Sequence, residues 1–217
     1  MRWLPEEAVA AQSDFPGSDA LRMCLVQERP QLFADRAQAA QQSIEVFVEP
    51  VVPSPLLLIG GGGHVGQALA LLATQVGFDV TVFDDRPEFT AAALFPPGVT
   101  ARCGPIPAQI AAAAIGLDTY VVIVTRGHAH DASALAACIH APAAYIGMIG
   151  SRRKVALMRE SFLARGLATE AELDRVFAPV GLDIGAITVP EIAASIAAQL
   201  IAVRRKGSAP AFSRTVP

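Results

Sequence analysis

A run of four glycines is set between an apolar stretch and an amphipathic one, an order that few folds accommodate. Residues 56–59 are short and wholly apolar, Gly60 to Gly63 follow, and residues 64–76 repeat apolar side chains at helical spacing. An apolar run of that length is the pattern of a parallel strand covered on both faces, so the segment reads as strand, turn and helix. Inside it, Gly61, Gly63 and Gly66 make a G-x-G-x-x-G pattern, with Gly62, His64 and Val65 at the intervening positions. In that context Gly61 permits the tight turn and Gly63 admits a phosphate to the amides at the helix start. Gly66 lets helix and strand pack closely.

Beyond residue 76 the pattern is regular. Residues 79–83 (DVTVF), 99–103, 119–125 (TYVVIVT) and 143–147 read as strands, and residues 106–115 and 129–139 as helices between them. Such alternation implies right-handed βαβ units. The expected fold is therefore α/β: a doubly wound, mostly parallel, Rossmann-like sheet with helices on both faces. Ahead of it, residues 3–12 read as a short helix, 21–27 as a strand or helix, 30–42 as a helix and 44–48 (IEVFV) as a strand. Pro50, Pro53 and Pro55 then form an extended connector. The predicted organisation is a small α+β appendage over residues 1–50, a Rossmann-like domain over 51–207 and a frayed tail over 208–217.

Toward the C-terminus, Thr169 with Glu172 and Thr188 with Glu191 match capping boxes. The last helix, residues 189–203, ends in Arg204, Arg205 and Lys206, cations suited to its own negative terminus.

Composition narrows the function. Lys plus Arg number 17 against 20 Asp plus Glu, for a net charge of −3, so the basic excess that drives nucleic-acid binding is missing. No apolar stretch approaches the roughly 20 residues of a membrane helix, and residues 1–14 lack the apolar region of a signal peptide. Cys24, Cys103 and Cys138 are widely spaced with no C-x-x-C. Thiols of that kind suit a reducing compartment, and the chain is expected to be cytoplasmic, with no nucleic-acid or membrane partner.

Three further clusters carry candidate chemistry. Asp84, with Asp85 and Arg86 beside it, stands at the end of the second strand, where a carboxylate would accept hydrogen bonds from ribose hydroxyls. The neighbouring acid and base leave NAD against NADP open. Thr125, Arg126, Gly127, His128, His130 and Asp131 lie at the carboxyl end of the strongest strand, the side on which open parallel sheets bind ligands. Here hydrogen bonding, or Asp131 as a helix N-cap, is favoured over a metal site, and no metal is expected. Gly147, Gly150 and Ser151 lead into Arg152, Arg153 and Lys154, cations in a first helical turn that oppose the dipole unless an anion offsets them. Asp183, in a glycine-bracketed turn, either caps that turn or pairs with an arginine. His64, at a helix start, suits phosphate contact or proton transfer.

The ordered motifs GGGGHVGQAL (60–69), VFDDRPEF (82–89), TRGHAHD (125–131), YIGMIGSRRK (145–154) and GLDIGA with PEIAASIAAQLIAVRR closely resemble the Rossmann domain of the XdhC/CoxI family. These are accessory proteins of xanthine dehydrogenase. The resemblance implies a non-catalytic chaperone that binds the molybdenum cofactor, as molybdopterin or its nucleotide form. It also implies assistance with sulfuration by a cysteine desulfurase and delivery to a molybdenum hydroxylase, with a homodimer expected. It implies ligand-site roles for Gly61, Gly63, His64, Gly66, Asp84, Arg86, Arg126, His128, Asp131, Arg152, Arg153 and Asp183. The departure is at the front, where the family's Cys-Gly-Gly position reads Ala39-Ala40-Gln41-Gln42-Ser43. From the residues alone, an NAD(P)-binding oxidoreductase and a nucleotide-sensing module remain alternatives.

Overall fold

The structure, a computed structural model, describes Cys24 and residues 30–36, 43–49 and 53–206. The chain divides into two compact units, Met1–Pro53 and Ser54–Pro217. The expected helix over residues 3–12 and the tail over 208–217 lie outside the described residues, as does all of the segment 21–27 except Cys24, which is helical.

In the first unit, strands β1 (Gln31–Arg36) and β2 (Ser43–Val48) pair antiparallel, with Leu32 opposite Phe47. The β2 strand is the one expected, whereas in place of the helix expected over residues 30–42 the described part, residues 31–36, is a strand; residues 37–42 lie outside the described residues. The reason is non-local. The β-branched and aromatic run SIEVFV offers a full ladder of backbone partners, and that pairing overrides any local helical tendency of residues 31–36.

The second unit is a six-stranded sheet, parallel throughout. Its strands are β3 (Leu56–Gly60), β4 (Asp79–Asp84), β5 (Thr100–Cys103), β6 (Thr119–Ile123), β7 (Tyr145–Met148) and β8 (Val176–Phe177). Their order is β5-β4-β3-β6-β7-β8. The helices are α1 (His64–Gln75), α2 (Ile106–Ala112), α3 (His128–Ala136), α4 (Arg152–Ala164), α5 (Glu170–Asp174) and α6 (Val189–Lys206). Consecutive connections run one way from β3 to β5 and the other way from β6 to β8, so the switch point lies between β3 and β6. This is the Rossmann-like α/β fold expected.

Strand periodicity explains the two-sided core. Leu57, Ile59, Tyr120 and Val122 face a cluster with α1 and α6, while Leu58, Val121 and Ile123 face one with α2, α3 and α4. All five residues of β6 are buried, which is why it reads as an unbroken apolar run. A polar bracket holds α6 to the sheet. The Gln199 side chain, fully buried, accepts hydrogen bonds from Tyr145 Oη and Gly181 N and donates to Gly181 O. Tyr145 also stacks on Phe177, and burial pushes its phenol well above the usual tyrosine range.

The caps differ in part from expectation. Thr169 and Glu172 form the full reciprocal box, and Glu191 accepts from Ile187 N and Thr188 N at the start of α6. The basic run serves another helix as well as its own. Arg204 Nη1 donates to Val76 O and Gly77 O, the free carbonyls just beyond the end of α1. The α1 and α6 helices pack together, which brings this cation within reach of a second negative helix terminus.

Candidate functional site

The switch point gathers three loops on one edge of the sheet. Adjacent strands β3, β6 and β7 are followed by residues 61–66, 124–131 and 149–154 respectively. In open parallel sheets this is the ligand side, because diverging loops leave a crevice between helix N-termini.

The glycine loop is built by close approach. Gly61 has φ +122° and donates to Phe83 O at 2.8 Å; a Cβ there would lie 2.4 Å from Val124 O, wedged between β4 and β6. At Gly66 a Cβ would lie 1.9 Å from Gly61 O, so the first turn of α1 sits directly on the loop. Gly63, the N-cap of α1, has open space where its Cβ would be and no side-chain cap, which leaves the first amides of α1 to the crevice. Val65 packs against the core, while His64 is exposed. His64 and Gln67 also line an open groove of about 670 Å³ with Leu71, Leu94, Phe95 and Pro190.

Next to the loop, Asp84 is 1% exposed and its carboxylate is saturated. Oδ2 accepts from Gly62 N at 2.8 Å and from Arg86 Nη2 at 3.0 Å; Oδ1 accepts from Arg86 N at 3.0 Å and Arg86 Nε at 2.9 Å. Burial pushes this carboxyl upward, but the Arg86 and Gly62 hydrogen bonds and the guanidinium charge outweigh it and hold the pKa below the ordinary value. Arg86 also stacks over the Phe89 ring at 3.7 Å.

The loop after β6 is organised by Asp131. It is not the N-cap of α3, a position held by Gly127. It reaches back from the first turn, and its Oδ1 accepts from Thr125 N and Thr125 Oγ1. With extended Gly127 as the cap, the acid lies within the first turn of α3 and bonds back to Thr125, so it supports the loop rather than the helix end. His128 opens α3 and His130 is exposed. Arg126 leaves the loop toward β4 and pairs with Asp85 at 3.1 Å. Among the described residues no group of His, Cys, Asp or Glu side chains is gathered as a metal site.

After β7, Ser151 caps α4 by accepting from Lys154 N. Arg152 lies 3.6 Å from Asp183, which settles the choice left open for that acid in favour of an arginine partner. Arg153 and Lys154 are exposed and make no ion pair among the described residues. Gly147 is inside β7, where a Cβ would strike Tyr145 and Val180, so its local role is packing; Gly150 lies in the loop that follows.

Sequence reasoning passed over Phe89, Gln67 and Gln199. Gln67 donates to Gly62 O at 2.8 Å and so fixes the loop from the helix side. Gln199 positions the turn at Gly181 that carries Asp183. Its signal was a lone amide at helical spacing among Ile192, Ile196, Leu200 and Val203.

The order of the strands, the glycine turn at the switch point and the amide-lined start of α1 define a Rossmann-type domain with its crevice at the carboxyl ends of β3 and β6. The family model describing the XdhC Rossmann domain matches residues 57–200, and the chain belongs to that family. It is 37% identical over 163 residues to the uncharacterized Escherichia coli K12 protein YqeB, covering 75% of this chain and 30% of that one. It is 30% identical over 169 residues to a probable xanthine dehydrogenase subunit of Bacillus subtilis 168, covering 76% and 48%. Among solved structures it is similar to one described as a xanthine dehydrogenase from Bacillus halodurans, with TM-score 0.63 and 27% identity over 78% of this chain and 48% of that one. The chain thus spans about a third to a half of the length of these relatives.

Proposed function

We propose that this chain is an accessory protein of a xanthine dehydrogenase-type molybdenum hydroxylase that binds the molybdenum cofactor as cargo in its switch-point crevice. The observation that carries this reading is the meeting of the Gly61–Gly66, Thr125–Asp131 and Gly150–Lys154 segments on adjacent strands of an XdhC Rossmann domain. The donor set suits a phosphorylated pterin. The uncapped start of α1 at Gly63 and His64 suits an anion, Arg153 and Lys154 add positive charge with no ion pair among the described residues, and the neighbouring groove offers Leu71, Leu94 and Phe95 to a flat ring. The one hydroxyl and acid that meet in these segments, Thr125 and Asp131, are bonded to each other inside the loop with the Thr125 amide on the same carboxylate oxygen, and the reading is of a carrier rather than a catalyst. Work with a cysteine desulfurase, delivery to the hydroxylase, a homodimer and a cytoplasmic setting belong to the same proposal. No helix among the described residues is long and apolar enough to cross a membrane.

The test is retention. Protein incubated with cofactor released from a donor molybdoenzyme is passed through gel filtration and bound pterin is read by fluorescence. Stoichiometric pterin on the wild type, lost in Gly63→Ala, is expected; no pterin on the folded wild type overturns the reading.

A further inference from the structure

In dinucleotide-binding sheets the acid at the end of the second strand is useful because its oxygens are free to accept a ribose diol lying between it and the glycine loop. A carboxylate offers about four lone-pair directions. In this chain all of them are taken from within. Arg86 grips Asp84 fork to fork, with Nε to Oδ1 at 2.9 Å and Nη2 to Oδ2 at 3.0 Å, and the remaining directions are filled by Gly62 N and Arg86 N. The loop is covered beside Asp84 too. The short turn at Pro87–Phe89 folds back over the loop so closely that a Cβ on Gly62 would lie 2.4 Å from Phe89 O, and the Phe89 ring backs the guanidinium at 3.7 Å.

From this geometry we propose that Arg86 is a specificity-determining residue: with Phe89 it closes the ribose seat, so that ligands enter the crevice without the ribose–Asp84 contact by which adenine dinucleotides are held. The guanidinium is the bolt and Asp84 the socket. Because the bonds all lie within one loop and its neighbouring glycine turn, the closure is local and does not depend on the identity of the cargo. Removing the Arg86 side chain exposes two carboxylate directions to a diol while leaving Gly62 N–H in place to orient the acid.

The probes are ADP-ribose, which carries the diol, and inorganic pyrophosphate, which lacks it, titrated calorimetrically into the full chain. For the wild type, ADP-ribose is expected to bind no more than about twofold tighter than pyrophosphate. In Arg86→Ala it should gain at least about tenfold, the effect of one or two hydrogen bonds to a charged acceptor, with pyrophosphate unchanged. Tenfold tighter ADP-ribose binding by the wild type, lost in Asp84→Asn, overturns the proposal, as does a folded Arg86→Ala that gains nothing. Should Arg86→Ala fail to fold, the wild type alone decides. The Arg86 Nε–H resonance is expected to stay in place at 10 mM ADP-ribose, a concentration set about tenfold above a millimolar affinity, and its displacement overturns the closure. Pterin retention is unaffected by either result, so this inference and the carrier reading fail separately.

Discussion

Arg126 Nη2 lies 3.1 Å from Asp85 Oδ2, although the two residues follow strands β6 and β4, which flank β3 on opposite sides. Strands in a sheet are about 4.8 Å apart, so the pair reaches roughly 10 Å across the β3 end, over the glycine loop. A cation the crevice could offer to an anion is thereby held by an internal acid. Both side chains are substantially exposed, so the pair adds less than about 1 kcal/mol to stability. Its consequence is for binding. Asp85→Asn should leave thermal stability nearly unchanged and tighten pyrophosphate binding about two- to tenfold by freeing Arg126. Unchanged affinity in calorimetric titration would remove Arg126 from the anion site.

The glycines of the loop should separate folding from binding. Gly66→Ala places a methyl group against Gly61 O, and overpacking of that kind should cost about 3 kcal/mol in urea denaturation. Gly63→Ala meets open space at φ −68° and should cost less than about 1 kcal/mol, while its methyl blocks approach to the α1 amides. Loss of stability at Gly63 comparable to that at Gly66 would show that the loop is packed where it is read as open.

Gln199→Leu keeps the volume and removes the amide, leaving Tyr145 Oη and the backbone of Gly181 buried without partners. Orphaned polar groups should make this one of the costliest single changes in α6, roughly 3 kcal/mol. Urea midpoints that match the wild type would mean that water replaces the bracket.

Asp84 has its pKa lowered from 3.8 in the folded chain. The sign follows from linkage: a lowered carboxyl stabilises the fold above its unfolded value and loses that contribution as pH falls through the folded one. Asp84→Asn should therefore be less stable than the wild type at neutral pH, and the gap should narrow as the pH drops below about 3.8. A gap that stays constant down to pH 2, a point about two units below the ordinary aspartate value, contradicts the assigned pairing.

Partly exposed Glu172 is held down to about 2 first by Thr169 N, then by His140 and the Thr169 hydroxyl. Its lowered value works in the same direction as that of Asp84. The Thr169 box, and with it α5, should weaken only as pH falls from 4.5 toward about 2, which amide exchange in α5 would reveal.

Much of this protein was written locally. The apolar run at residues 56–59, the glycine turn and the buried run ending at Ile123 announced a parallel sheet, because strands covered on both faces carry no polar alternation and because only glycine fits the turn at Gly61. Ser151 and Thr169 declared their helix starts for the same reason: a cap bonds amides two or three residues away, well within reach of sequence reading. Pairings decided by the tertiary structure were silent. Nothing near Gln31 told of its partner Val48, and nothing near Arg204 told of the α1 carbonyls it caps. At the crevice the sequence supplied the residue types, an acid at the end of β4 and arginines after β4, β6 and β7. Whether each charge faces a ligand or another charge depends on which loops the sheet order sets side by side. Arg86, two residues from Asp84, turns back on it within one loop, whereas Asp85 on Arg126 and Asp183 on Arg152 are pairs that only the juxtaposition of separate loops creates.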